Sequence, residues 1–476
     1  MKLRVEFVLL SVLIVALARS ASSHADDDPT GSTRSVEPCE IEVIDRLTGW
    51  PVPMIEIETT NQLKFVSDNS GRIAFDAPEL MGTSTWLHVR GHGYSVPKDG
   101  FGYRGVRVKP EAGGKIQIVV DRDQLAMRLG RLTGAGIYAE SQKLGYELDW
   151  KESGVMGCDS VQNATHLGNR FWAWGDTNLP SYPLGRFHMT GATTLLSEPL
   201  PVLPPVRVAY QYFRGSDSVP RNLAEFPGDG PTWLTGLVSI PDQDGIDKLV
   251  ACYSKIRPPM TEYERGLCVW NEQAKRFDRL KVLWRKVDDE KELSLAMPTG
   301  HACFKTDEAG ARWVYFGDPL PTLRCKADYE SWSDPSSWIT LQPQATIPAR
   351  HSNDQIAPHR GAMIWHPAVE KWVSIFTQYG GDRSFLGEIW LAIADDPEGP
   401  WRDAVKVAGH EQYTFYNPQV HPVFHDGEQP VVLFEATYTK TFSKTKEATP
   451  RWDYNQVLYR VNIDDVIMKD REGDQE

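Results

Sequence analysis

The chain has 476 residues, with 51 Lys and Arg against 64 Asp and Glu, for a formal net charge of −13. That balance excludes a phosphate-tracking nucleic-acid binder, which needs a basic face, and the length predicts two domains rather than one. The aromatic share of 11%, with 16 Trp, suits a β core or an aromatic binding surface.

Taken in chain order, the first feature is Lys2 and Arg4, the apolar run from Phe7 to Ala18, then Ser23-His24-Ala25 and the acidic Asp26 to Asp28. That order predicts a secretory signal peptide over residues 1–25. The apolar run is too short for a comfortable bilayer span. A secreted or periplasmic protein, free of the membrane after cleavage, is therefore expected; an uncleaved N-terminal anchor is the alternative. Residues 26–37 read as a linker.

Residues 38–122 read as a small β-sandwich. Glu40-Ile-Glu-Val-Ile44 and Met54-Ile-Glu-Ile-Glu58 alternate with period two, and Leu63 to Val66, Arg72 to Phe75, Thr85 to Val89 and Lys115 to Val120 continue the pattern. Turn signals stand between them at Thr48-Gly49, Asp68-Asn-Ser-Gly71 and Gly91-His-Gly93. The phrases Asp45 to Val52, Ser67 to Phe75 and His88 to Tyr94 resemble the carboxypeptidase-regulatory, transthyretin-like sandwich, an accessory domain in that family. His88 and His92 are four apart, but on a strand and turn, so they form no helical metal pair. Residues 123–136 read as a second linker.

Residues 137–468 carry five copies of one unit, and residues 469–476 read as a polar tail. The aromatic-rich second strand of each unit is the clearest marker. These strands are Arg170 to Asp176, Lys248 to Ser254, Arg312 to Asp318, Lys371 to Thr377 and Pro430 to Ala436. A turn precedes each one: Leu167 to Asn169, Asp242 to Gly245, Asp307 to Gly310, Pro367 to Glu370 and His425 to Gly427. Third strands follow, such as Arg265 to Trp270, Gly387 to Ile393 and Gln456 to Val461. Five antiparallel sheets in succession predict an all-β fold, a five-bladed β-propeller behind the sandwich. A long sandwich or two small barrels are the alternatives. Six cysteines (Cys39, Cys158, Cys252, Cys268, Cys303, Cys325) leave disulfide connectivity open. Cys252 and Cys268 either face each other across a hairpin or stay as free thiols.

A propeller also predicts its own functional face. The starts of the first strands and the ends of the second strands meet around the axis. Those positions hold Asp159 and Asp176; Trp233 and Lys255; His301 and Asp318; Asp354, His359, Arg360, Gln378 and Tyr379; and Asn417, Gln419, His421 and Glu435. A polar concavity on a rigid scaffold is a ligand site. Paired carboxyls with separated pKa values are the equipment of glycosidic cleavage. Asp159, Asp176 and Glu435 are the catalytic candidates. Trp174, Trp233 and Tyr379 are candidate sugar platforms, and His301, Asp318, Arg360 and His421 are candidate substrate contacts. Each also has a structural reading: turn caps for Asp176 and Asp318, satisfied core histidines for His301 and His421, a buried backbone partner for Glu435. His301, His351, His421 and Asp354 are metal-ligand types without a ligand spacing. No cofactor is required for such chemistry, and an axial calcium or sodium ion is compatible with it.

Gly157-Cys-Asp-Ser160, Trp174-Gly-Asp-Thr177, Ile393 to Trp401 and Tyr416 to Pro422 resemble the five-bladed glycoside hydrolases of the arabinanase and family 43 group, in the branch with secreted bacterial endo-arabinanases. The resemblance implies a carbohydrate substrate and makes Asp159 and Asp176 the catalytic pair. The sequence departs from the family pattern in the third blade, which offers Asp318 and no Glu; Glu435, in the last blade, is the Glu on that face. A sugar hydrolase is thus the first expectation, with a non-catalytic sugar-binding propeller or a protein-binding scaffold as competitors.

Overall fold

The alternating segments near the start of the chain pair as two four-stranded sheets in a computed structural model, which describes residues 37–198, 200–286, 296–380, 386–422 and 430–467. The signal-peptide segment, the polar tail and the turn at 425–427 lie outside the described residues. One sheet runs in the order Arg72–Phe75, Cys39–Asp45, Lys115–Arg122, Tyr94–Ser95; the other is Lys64–Val66, Glu56–Thr59, Thr85–Arg90, Gly105–Val108. Period two sends Ile41, Val43, Ile57, Ile73, Leu87, Val89, Ile118 and Val120 into one core between the sheets.

Beyond the sandwich, five four-stranded antiparallel sheets follow in order, each led by its innermost strand. The innermost strands are Gln162–His166, Thr232–Pro241, His301–Thr306, Pro358–His366 and Thr414–His421. The second strands are Asn169–Trp174, Asp247–Arg257, Arg312–Gly317, Lys371–Gln378 and Val431–Thr439. Packing shows that the sheets form a closed ring. Phe171 and Ala173 of the first blade share a core with Leu234 and Tyr253 of the second. Val238 and Cys252 pack on Val314 and Phe316 of the third. Tyr315 meets Met363 and Phe376 of the fourth. Ile375 and Leu391 meet Phe415 and Phe434 of the fifth. Leu433 and Leu458 of the fifth return to Trp172 and Trp174 of the first. Five blades and five interblade cores make a five-bladed propeller.

Closure corrects one sequence reading. Met127–Arg131, inside the expected 123–136 linker, is a strand that pairs with Asn455–Asn462 as the outer strand of the fifth blade. Its Leu129 is fully buried in the core shared by the fifth and first blades. The strand has one turn of alternation and two arginines, so period two does not reveal it.

The two domains belong to one unit, Glu37–Glu476, and buried polar groups tie them together. Arg128 is fully buried and donates to the carbonyls of Pro53 (3.0 Å), His92 (2.7 Å) and Met54 (3.3 Å). Asn69 accepts from the Arg131 amide at 2.8 Å and donates to the Arg131 and Val206 carbonyls at 2.9 and 3.2 Å. These bonds satisfy buried backbone groups at the join. The six cysteines are buried free thiols; Cys268 lies opposite Ala251, so Cys252 and Cys268 are out of register for a hairpin disulfide.

Three innermost strands carry bulges, at Thr235–Val238, Pro358–Gly361 and Tyr416–Gln419. A bulge adds twist and re-aims side chains. At the first, Gly236 sits at φ +66°, and a Cβ there would stand 1.9 Å from the Pro298 carbonyl oxygen. Only glycine fits that approach.

Candidate functional site

The first blade brings two carboxyls together through its backbone. The Asp159 amide donates to the Asp176 carbonyl at 3.2 Å, and the Gly175 amide donates to the Asp159 carbonyl at 2.8 Å. Asp159, before the innermost strand, and Asp176, after the second, therefore share the axial mouth. They are held differently. Asp159 Oδ2 accepts from the Tyr416 hydroxyl at 2.6 Å. Burial raises its pKa, and hydroxyl bonds from Tyr416 and Tyr454 oppose that rise. Asp176 has a weaker support, the Trp233 indole N–H at 3.2 Å from Oδ1. Burial first, then the negative charge of Asp159, push Asp176 up to about 7. Burial thus raises both carboxyls, but hydroxyl donors counter the rise at Asp159, while Asp176 is held as an acid near neutral pH. The sequence marks Tyr416 only as the start of the Tyr416 to Pro422 phrase and Tyr454 not at all, because a hydroxyl partner 257 residues from Asp159 leaves no local spacing signal.

The third and fourth blades add an ion pair at the same mouth. Arg360 donates to Asp318 Oδ2 at 2.5 Å, and the Gly361 amide donates to Oδ1 at 2.7 Å. The bulge at Pro358–Gly361 places both donors against one carboxylate. The Arg360 side chain is 52% exposed. His301 lies below, with Nδ1 at 3.5 Å from Gln162 Nε2, and burial lowers its pKa to about 4. It is a neutral imidazole at working pH. Lys255, expected at the mouth, instead turns inward. It is fully buried and donates to the carbonyls of Phe226, Gly228 and Gly230 at 3.1, 3.1 and 2.9 Å. It clamps the loop that leads into Trp233.

Besides Lys255 and His301, three further expected site residues do not reach the mouth surface. Glu435 has no exposed surface; its Oε1 is 2.8 Å from His421 Nε2. His421 is 1% exposed and its Nδ1 takes the Asn163 amide at 3.2 Å. Burial pushes Glu435 up to about 8 and His421 well below its usual range. This contact is therefore a hydrogen bond between a neutral acid and a neutral imidazole, not an ion pair. A catalytic role at the substrate for Glu435 and a substrate contact for His421 are both corrected: strand alternation gave the inward direction but not the depth. Trp174 is corrected for the same reason. It is fully buried, stacked 6.2 Å from Trp172 and edged by Tyr210, with no face left for a sugar. Tyr379 is 58% exposed beside His359, ring centroids 5.6 Å apart.

An axial calcium or sodium ion needs several hard oxygen ligands. Among the described residues no three His, Cys, Asp or Glu side chains converge on one point. The buried Glu435 carboxyl has an imidazole for its neighbour rather than a second carboxylate. Two clefts of about 320 and 350 Å³ lie away from the carboxyl pair, one at Lys64, Asp68, Arg131 and Trp452, the other at Trp150, Arg207 and Tyr212. The chemistry follows the carboxyl pair, not the cleft volumes.

No family model matches the chain, and no curated protein does. Among solved structures it is similar to an exo-1,5-α-L-arabinanase from a bovine ruminal metagenomic library. The TM-score is 0.37 at 12% identity, over 65% of this chain and 94% of that one. It is similar to an endo-1,5-α-L-arabinanase from Thermotoga petrophila RKU-1, with TM-score 0.36 and 12% identity, over 64% of this chain and 71% of that one. A GH43_1 enzyme from Xanthomonas citri complexed with xylotriose gives 0.34 and 10%, over 64% and 86%. These likenesses are distant, and the chemistry of this chain follows from its own residues.

Proposed function

We propose that this protein is an exported glycoside hydrolase that uses Asp159 and Asp176 as its carboxyl pair. Asp159, supported by two tyrosine hydroxyls, is the nucleophile or the base that activates water. Asp176 is the acid that protonates the leaving oxygen. The observation that carries the reading is the difference in their surroundings: burial raises both, but Asp159 accepts a 2.6 Å bond from Tyr416 that opposes its rise, while Asp176, beside the Asp159 charge, is pushed up to about 7. Two carboxyls whose surroundings push their pKa values apart divide the acid and base work of glycosidic cleavage. Trp233 orients the acid and offers a half-buried indole at the mouth. Arg360 and Asp318 form the facing wall and hydrogen-bond sugar hydroxyls.

The test is reducing-sugar release from soluble arabinan, galactan, xylan and β-glucan. The wild-type chain is expected to hydrolyse at least one. Asp159→Asn is expected to lose at least about 10³-fold in kcat on that polymer, within the range that essential carboxyls supply. Hydrolysis at the wild-type rate by Asp159→Asn sinks the assignment. Binding without turnover by the wild-type chain favours a carbohydrate-binding propeller instead.

A further inference from the structure

Exposed aromatic rings of the propeller gather at one face. Tyr182, Phe187, Tyr379 and Phe442 are 68, 42, 58 and 63% exposed. All four lie in connections that leave a second strand, the end at which Asp176 stands. At the opposite end, among the described residues, Trp365 is the one exposed aromatic ring of the propeller. Scattered exposed rings need no explanation, but rings gathered at one mouth do.

Two of them are linked to the carboxyl pair from opposite sides. Phe442, on the fifth blade, meets the Tyr416 ring edge-on with centroids 6.0 Å apart, and the Tyr416 hydroxyl holds Asp159. On the other side, Trp233 of the second blade holds Asp176. The amide of the preceding residue, Thr232, donates to His188 Nδ1 at 3.1 Å, and the His188 ring lies 4.7 Å from that of Phe187. The sequence of blades is fifth, first, second. Exposed aromatic surface therefore stands on both sides of the first blade's two carboxyls.

Exposed aromatic rings flanking acid groups match a ligand with apolar faces and hydroxyl edges, repeated along its length. We propose that the mouth is an elongated site for a carbohydrate chain of several units, with Phe442 stacking sugar on one side of the carboxyl pair and Phe187 on the other. The position of the cleaved bond between them rests on the hydrolase reading. The stacking itself does not.

The experiment is affinity electrophoresis in gels containing soluble arabinan, galactan, xylan or β-glucan. The parent is full-length Asp176→Asn protein, which leaves the polymer intact. Phe442→Ala, Phe187→Ala and the double variant are made in it, with Trp365→Ala as a control from the other end. Near-ultraviolet circular dichroism confirms that each is folded. The parent and the Trp365 control are expected to be slowed equally by at least one polymer. Each Phe variant should lose about tenfold in apparent affinity, the scale of one aromatic stacking contact. The double variant should lose about a hundredfold if the sites are independent. Equal retardation of parent and Phe variants overturns the proposal, as does a parent that no gel slows. Retardation lost as expected, with no hydrolysis by the wild-type chain, supports the elongated site and overturns the hydrolase reading alone.

Discussion

Asp159 and Asp176 are the same residue type on directly paired segments of one blade, and their surroundings give them different work. The Tyr416 hydroxyl is the difference that a single substitution can remove. In Tyr416→Phe the 2.6 Å bond to Asp159 Oδ2 is lost while the ring that packs on Phe442 stays. A bond donated to the anion lowers a carboxyl's pKa, so its loss raises that of Asp159. Asp159 must be ionised to act, so the acid limb of the pH–rate profile should move to higher pH. On that limb the rate should fall below the wild type's, by up to about tenfold for each pH unit that the limb moves. An unchanged acid limb would show that Tyr416 does not set the ionisation of Asp159. This level of detail was the least legible in the sequence. Asp159 and Asp176 were visible because turn and strand positions mark them. Tyr416 and Tyr454 were not, because hydroxyl partners arrive from another blade. Glu435, His421 and Trp174 were visible but misplaced in depth.

Single strands decide where those side chains stand. The bulges at Thr235–Val238, Pro358–Gly361 and Tyr416–Gln419 each interrupt an innermost strand near the mouth. They present the Gly361 amide to Asp318 and bring Tyr416 to Asp159. Below the bulges the fifth blade buries Glu435 as a neutral acid, and that has a consequence for stability. Its folded pKa, about 8, lies above the ordinary glutamate value of 4.5. Between those values the folded state holds the proton more tightly than the unfolded state. Stability from this group is complete at low pH and is lost as pH rises through about 8. Glu435→Gln keeps an acceptor for His421 and cannot ionise. Its melting temperature should therefore fall less than the wild type's between pH 5 and 9. Parallel melting curves across that range would mean that Glu435 does not titrate as its burial implies. Lys255, bonded to three loop carbonyls, is a second buried ionisable group with a structural task.

The whole molecule is a ring closed by a strand from before the first blade and fastened to a sandwich by buried arginine and asparagine side chains. Five aromatic second strands, most of them preceded by Gly- and Asp-rich turns, made the blades readable, because period two and turn chemistry are local. Closure by Met127–Arg131 was not readable, because five residues that include two arginines look like a linker until their partner strand is known. The sandwich and propeller should unfold together. Arg128→Leu leaves the carbonyls of Pro53, Met54 and His92 without their donor. It is expected to cost about 3 kcal/mol or more, and to separate one denaturation transition into two when followed by Trp fluorescence and far-ultraviolet circular dichroism. A single transition at the wild-type midpoint would deny Arg128 that role.

All of this positions one carboxyl pair at the axis, and the pH dependence of kcat/KM tests that pair most directly. The working form has Asp159 ionised and Asp176 protonated, so the rate should fall on the alkaline side near pH 7, where Asp176 loses its proton. In Asp176→Asn, assayed on an aryl glycoside whose leaving group needs no protonation, the alkaline limb should vanish while the acid limb remains. An alkaline limb that persists unchanged in Asp176→Asn would contradict the account.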